Sequence, residues 1–91
     1  MAKPKNVIVI VADSLRYDSV YTEGGPSVPY LEKNAIQFSN ARSSGCWTLP
    51  ATCSMFSGLL PHEHGATSQS RWLEKKVPSL PEKLKSAGYK P

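Results

Sequence analysis

Two residues of this chain are of a type and in a setting suited to chemistry. Thr48 stands two places before Pro50 in Trp47-Thr48-Leu49-Pro50-Ala51-Thr52. Proline has a fixed φ and no N–H to lose, so it fits the first turn of a helix. The spacing predicts a helix over residues 50–57 with Thr48 at its mouth, where unpaired N–H groups and the helix dipole favour an anion. A threonine hydroxyl is a weak nucleophile and needs a base or a metal. A metal ion can stabilise its alkoxide and polarise the bond under attack. The other reading of the same residue is a plain helix cap.

Asp13 is the second candidate. It closes the apolar run of residues 7–12, and a carboxylate there is either a cap or a metal ligand, since hard divalent cations and zinc both accept carboxylate oxygen. Asp18 reads as structural, either capping or paired with Arg16. His62 and His64 flank Glu63 and could in principle converge on one ion, but a pair without further ligands reads as structural or solvent-exposed. The chain has no G-x-S-x-G elbow, no P-loop and no C-x-x-C motif.

The elements that must position these residues follow from pattern. Residues 6–12 are rich in β-branched side chains without alternation, which predicts a strand buried on both faces of a parallel sheet. Asp13 would then lie at its carboxyl end, where open α/β sheets place their ligands. A short helical turn is expected within residues 14–21 and a loop at Gly24-Gly25-Pro26. Ser27 can cap a helix over residues 28–34 that tolerates Pro29 in its first turn. Residues 36–41 alternate and read as a short strand, and Ser43-Ser44-Gly45 reads as a flexible connection. Gly58 should end the helix that follows Thr48. Residues 61–65 read as a loop. Ser79 and Glu82 have capping-box spacing for a last helix ending at Gly88, and residues 89–91 look like the approach to a further strand. The alternation of strand and helix predicts an α/β layer structure.

Composition narrows the function classes. The 91 residues set a ceiling of one domain, and 40% hydrophobic with 20% charged content argues against disorder. The net charge of +4 comes from scattered lysines with no arginine-rich or aromatic-interleaved stripe, so no nucleic-acid partner is expected. No segment reaches the roughly 20 apolar residues of a membrane span. The apolar run after Lys3 and Lys5 stops at Asp13, short of a signal-peptide core, so a cytoplasmic protein is expected. Cys46 and Cys53 are expected to be reduced and buried.

Several segments recur together in order: residues 6–18, Pro29-Tyr30-Leu31, Phe38-Ser39-Asn40-Ala41, Trp47-Thr48-Leu49-Pro50, residues 57–65, Ser79-Leu80-Pro81-Glu82 and Ala87-Gly88-Tyr89. This set resembles the N-terminal part of the sulfatase branch of the alkaline phosphatase superfamily, along nearly the whole chain. The resemblance implies the N-terminal portion of a three-layer α/β/α fold with an incomplete sheet. Residues 1–91 would then be a fragment of the catalytic domain. It also implies a divalent metal, zinc or manganese ahead of calcium or magnesium, held by Asp13 and Thr48. Thr48 would be the nucleophile, and further ligands, mostly Asp and His, would lie beyond Tyr89. His64, within the Pro-x-x-His-Gly segment of residues 61–65, would support the loop rather than bind metal.

The departures from the pattern matter. Sulfatases convert the first residue of C/S-x-P-x-R to formylglycine. Here Thr48 and Thr52 hold the first and last positions, and threonine cannot give that aldehyde. Neither cysteine has a proline two residues on, and Ser14 follows Asp13 where many sulfatases pair two aspartates. The resemblance therefore leans toward phosphodiesterases and phosphotransferases of the superfamily. The expected substrate is a phosphate or sulfate ester, with phosphate preferred and little activity from these residues alone. The rival reading is a non-catalytic α/β module that binds an anion or a protein, with an exposed sheet edge favouring self-association. A Rossmann-type nucleotide binder is disfavoured, because no glycine-rich turn follows the first strand.

Overall fold

The computed structural model describes residues 6–23 and 27–91. Its regular elements are helical: α1 (Tyr17–Glu23), α2 (Ser27–Asn34), α3 (Thr48–Ser57), α4 (Pro61–His64) and α5 (Leu80–Ser86). Four of the five carry a proline within their first three residues: Pro29, Pro50, Pro61 and Pro81. The N–H groups there have no intrahelical partner, so proline costs nothing and its φ is already helical.

The ends have identifiable causes. Gly58 terminates α3 in the left-handed region at φ 72°, and its N–H returns to the Ser54 carbonyl at 2.8 Å. Gly65 does the same after α4 at φ 76°, returning to Pro61 at 3.0 Å. Glycine adopts this conformation without the Cβ penalty that other residues carry. At the start of α5 the Ser79 N–H donates to the Glu82 carboxylate at 2.7 Å, and the Ser79 hydroxyl donates to the same oxygen at 3.0 Å. Two hydrogen bonds to the ionised form hold Glu82 below its usual carboxylate range, the backbone bond being the larger cause.

The expected α/β layer architecture is not what the structure shows. Among the described residues there is no strand, so neither the buried parallel strand over residues 6–12 nor the short strand over 36–41 forms. A strand exists only as one side of a hydrogen-bonded ladder, and no described segment pairs with either stretch. The β-branched run is exposed instead: Ile8 is 82% and Ile10 89% accessible. Residues 89–91 form no strand either. A further correction concerns residues 61–65, read as a loop, where Pro61–His64 makes one helical turn. The helix expected within residues 14–21 lies slightly later, as α1. The Gly24-Gly25-Pro26 loop falls outside the described residues.

The chain divides into two compact units, Val7–Ala41 and a second whose described part is Asn6 with Arg42–Pro91. In the second unit α3 packs on α4 and α5. Its buried residues are Pro50, His64, Ala66 and Val77. The first unit has α1 and α2 and an open apolar hollow of about 400 Å³ lined by Val20, Val28, Leu31, Ala35, Ile36 and Phe38 among others.

Candidate functional site

Thr48 is the first residue of α3, and the cap position before it belongs to Trp47, whose side chain makes no capping hydrogen bond. The cap reading of Thr48 is thus replaced by a place inside the first helical turn. Its side chain is exposed, while Pro50, two residues on, is buried. The Ala51 N–H closes the first turn on the Trp47 carbonyl at 3.3 Å. Thr52, at the position where the sulfatase pattern has arginine, is half-buried on the same helix.

The loop before α3 is tighter than a flexible connection. The Ser43 hydroxyl donates to the Gly45 carbonyl at 2.8 Å. A Cβ on Gly45 would stand 2.9 Å from Pro50 Cγ and 3.2 Å from the Ala51 nitrogen, so any side chain here forces its neighbours to shift. Both cysteines are free thiols, as expected, but neither is buried: Cys46 is exposed and Cys53 half-buried.

His62 and His64 part ways. His62 is exposed, whereas His64 is fully buried. The His64 ring meets three groups: Nε2 lies 2.9 Å from Ser54 Oγ and 3.3 Å from the Pro50 carbonyl oxygen, and Nδ1 lies 3.0 Å from the Ala66 nitrogen. Sequence reasoning had His64 as loop support and did not see Ser54. Its signal was only that Pro50 and Ser54 are four apart and so share a helix face.

Asp13 lies in the other unit, at a turn whose next residue, Ser14, takes φ 59°. The Ser14 hydroxyl donates to Asp13 Oδ1 at 3.4 Å, a long bond on an exposed carboxylate. Asp18 pairs with Arg16 through two parallel bonds, Nε to Oδ1 at 2.9 Å and Nη2 to Oδ2 at 2.7 Å. The guanidinium holds the Asp18 carboxyl below its usual range, and the carboxylate raises Arg16 in turn. This fork is the structural role expected of Asp18, and the pair is solvent-exposed.

The structure therefore gathers Thr48, Pro50, Ser54 and His64 in one unit and leaves Asp13 in the other. Among the described residues no group of three or more His, Cys, Asp or Glu side chains could hold a metal ion. One carboxylate and one hydroxyl suit a hard cation in donor chemistry and fall short of it in number. No helix of the described residues is long and apolar enough to cross a membrane.

The family model described as Sulfatase covers residues 5–91. No curated protein and no solved structure matches the chain.

Proposed function

Because the chain belongs to the sulfatase family, we propose that it takes part in metal-dependent cleavage of phosphate or sulfate esters, with Thr48 as the nucleophile. The family acts on sulfate esters and is generally metal-dependent. Thr48 and Thr52, in place of C/S-x-P-x-R, favour phosphate as the group transferred here. The observation that carries the reading is the position of Thr48: an exposed hydroxyl in the opening turn of a ten-residue helix whose cap role falls to Trp47.

In this reaction the Thr48 Oγ–phosphorus bond forms while the ester phosphorus–oxygen bond breaks. The hydroxyl proton passes to solvent and the departing alcohol ends protonated. Water then cleaves the phosphothreonine, returning the hydroxyl and releasing phosphate. The dipole and N–H groups of the first turn of α3 favour the negative charge that gathers on the transferring group. Asp13 and Thr48 would contribute to holding the divalent ion that the family generally uses, zinc or manganese by preference, and that ion would supply charge that lowers the cost of the alkoxide. Residues 1–91 act in this reading as the N-terminal part of a catalytic domain, with the remaining ligands supplied by sequence beyond them, and turn over little by themselves.

The test is acid-quench mass spectrometry of the full-length protein carrying this segment, given an aryl phosphate with zinc or manganese. A phosphoryl group is expected on the peptide containing Thr48, and Thr48→Ala should abolish it. An adduct elsewhere, or normal turnover by the variant, removes Thr48 from the nucleophile role. Brisk turnover by the 91-residue chain overturns only the partial-domain reading.

A further inference from the structure

We infer that His64 is a positioning residue for Thr48: its buried ring, fixed as the Nε2–H tautomer, holds the first turn of α3 through the Pro50 carbonyl. The functional meaning of this inference rests on the nucleophile reading of Thr48, whereas its geometry stands independently of that reading.

The tautomer follows from one bond. The Ala66 backbone N–H faces His64 Nδ1 at 3.0 Å. A backbone N–H can only donate, so Nδ1 must present a lone pair, and the proton of a neutral imidazole then sits on Nε2. That proton has two acceptors, Ser54 Oγ at 2.9 Å and the Pro50 carbonyl at 3.3 Å. A carbonyl has two lone pairs and can serve the ring as well as the helix. The ring is fully buried, so water does not compete for these bonds.

This assignment excludes one chemistry and supplies another. A serine 2.9 Å from a histidine nitrogen has the spacing of a nucleophile–base pair. With the proton already on Nε2, the ring cannot take another from Ser54 there, so the pair does not activate that hydroxyl. What it does is mechanical. One ring ties the first turn of α3 at Pro50, the second turn at Ser54 and the backbone after α4 at Ala66. The backbone at Gly45 runs close beside the same turn, so that a Cβ there would meet the Pro50 ring and the Ala51 nitrogen, while His64 holds the Pro50 carbonyl. Thr48 is two residues from this fixed point. In-line attack is sensitive to such placement, a misfit of about 1 Å costing on the order of 100-fold in rate.

The experiment uses the 91-residue chain. Ring ¹H–¹⁵N correlation of labelled histidine should show His64 as a neutral Nε2–H species with a slowly exchanging proton. A Nδ1–H species overturns the proposal. His64→Gln puts an amide N–H near the place of Nε2, and His64→Asn puts an acceptor near the place of Nδ1. Amide exchange of Ala51, which closes the first turn, should stay near the wild-type rate in His64→Gln and speed up about tenfold in His64→Asn, the worth of one hydrogen bond. Equal acceleration in both variants, or none in either, overturns the clamp. Should both variants unfold, the wild-type ring tautomer and Ser54→Ala decide. Ser54→Ala should keep the Nε2 proton slow on Pro50 alone, and a fast proton there counts against the proposal. None of these readings needs turnover. A clamp that passes beside a Thr48 never found phosphorylated defeats the nucleophile reading and leaves the clamp standing.

Discussion

In Arg42–Pro91 the buried residues are few, and the His64 ring joins helix α3, at the Pro50 carbonyl and the Ser54 hydroxyl, to the backbone after α4 at Ala66. In the other unit none of residues 7–20 and 28–41 is buried, although the run of residues 7–11 is entirely Val and Ile. The two units are thus unequal in a way that apolar content does not explain. The Arg42–Pro91 unit is built from turn chemistry: prolines in first turns, glycines at φ 72° and 76°, and carboxylates returned to backbone N–H groups. Each of these acts over three to five residues and requires nothing from elsewhere in the chain. The other unit holds residues suited to a ladder, and a ladder needs a second strand distant in sequence. Its side chains line an open hollow in place of a core. Burial here goes with partners found inside the same unit, as His64 finds Pro50 and Ser54.

The largest expected effect tests the well-tied unit. His64→Ala removes a fully buried ring and leaves the Ala66 N–H without its acceptor, a loss of about 1–3 kcal/mol from that group. The vacated volume adds to this, for a total of about 3 kcal/mol or more. Against the roughly 5–15 kcal/mol of an ordinary domain this is severe, and for so short a chain it should abolish cooperative thermal unfolding seen by circular dichroism. Retention of a sharp transition would mean the unit does not depend on its buried histidine. Next is Gly45→Ala, where the new methyl meets the Pro50 ring at 2.9 Å. Overpacking of this kind costs about 1–3 kcal/mol, read as a lowered denaturant midpoint.

The other unit should respond in the opposite sense. Ile8→Lys with Ile10→Lys changes two side chains that are already 82% and 89% exposed. Stability should move by no more than about 0.5 kcal/mol. The visible change should be in association: an apolar β-branched run open to solvent invites pairing between copies, and lysine opposes it. Sedimentation at rising concentration should show the parent chain associating more strongly than the double variant. A large loss of stability instead would show that these side chains are covered in solution, and the contrast between the units would fail.

The same distinction decides what could be read in the residues beforehand. The α3 helix, its proline and its closing Gly58 were legible, as were the Ser79–Glu82 pairing and the Arg16–Asp18 fork, because each is a short-range bond with a residue-type signature. The α4 helix was not, since four residues carry no periodicity, although Pro61 at its start and the Leu60 N–H bond to Glu63 at 2.8 Å were local cues. The sheet was misread because β-branched composition reports suitability for a strand and says nothing of a partner. Thr48 was placed at the mouth of a helix expected to begin at Pro50, whereas α3 begins two residues earlier, at Thr48 itself. The His64 network joins residues ten and fourteen positions apart with no repeating pattern between them, so only coordinates could join them.

The smallest expected effect is acid sensitivity, and here the units differ by what a carboxylate holds. Glu82 accepts the Ser79 N–H at the start of α5, and Asp18 accepts the Arg16 guanidinium beside α1. Both sit below their usual range in the folded chain. A carboxyl depressed on folding contributes stability that is complete above its unfolded value and is lost as pH falls through its folded value. Titration therefore removes both supports in strong acid and leaves them intact at neutral pH. The consequences differ. Protonated Glu82 gives up a backbone N–H that starts a helix, so α5 amides should lose protection first. Protonated Asp18 frees an exposed arginine, and surface pairs of that kind contribute little. Amide exchange of residues 82–86 across an acid titration should therefore accelerate in the parent, while Glu82→Gln, which keeps an acceptor but no titrating group, should show a flat profile. Equal sensitivity of α1 and α5 would mean that a guanidinium fork organises a helix as well as a capped N–H does, against the view that backbone partners decide which parts of this chain hold together.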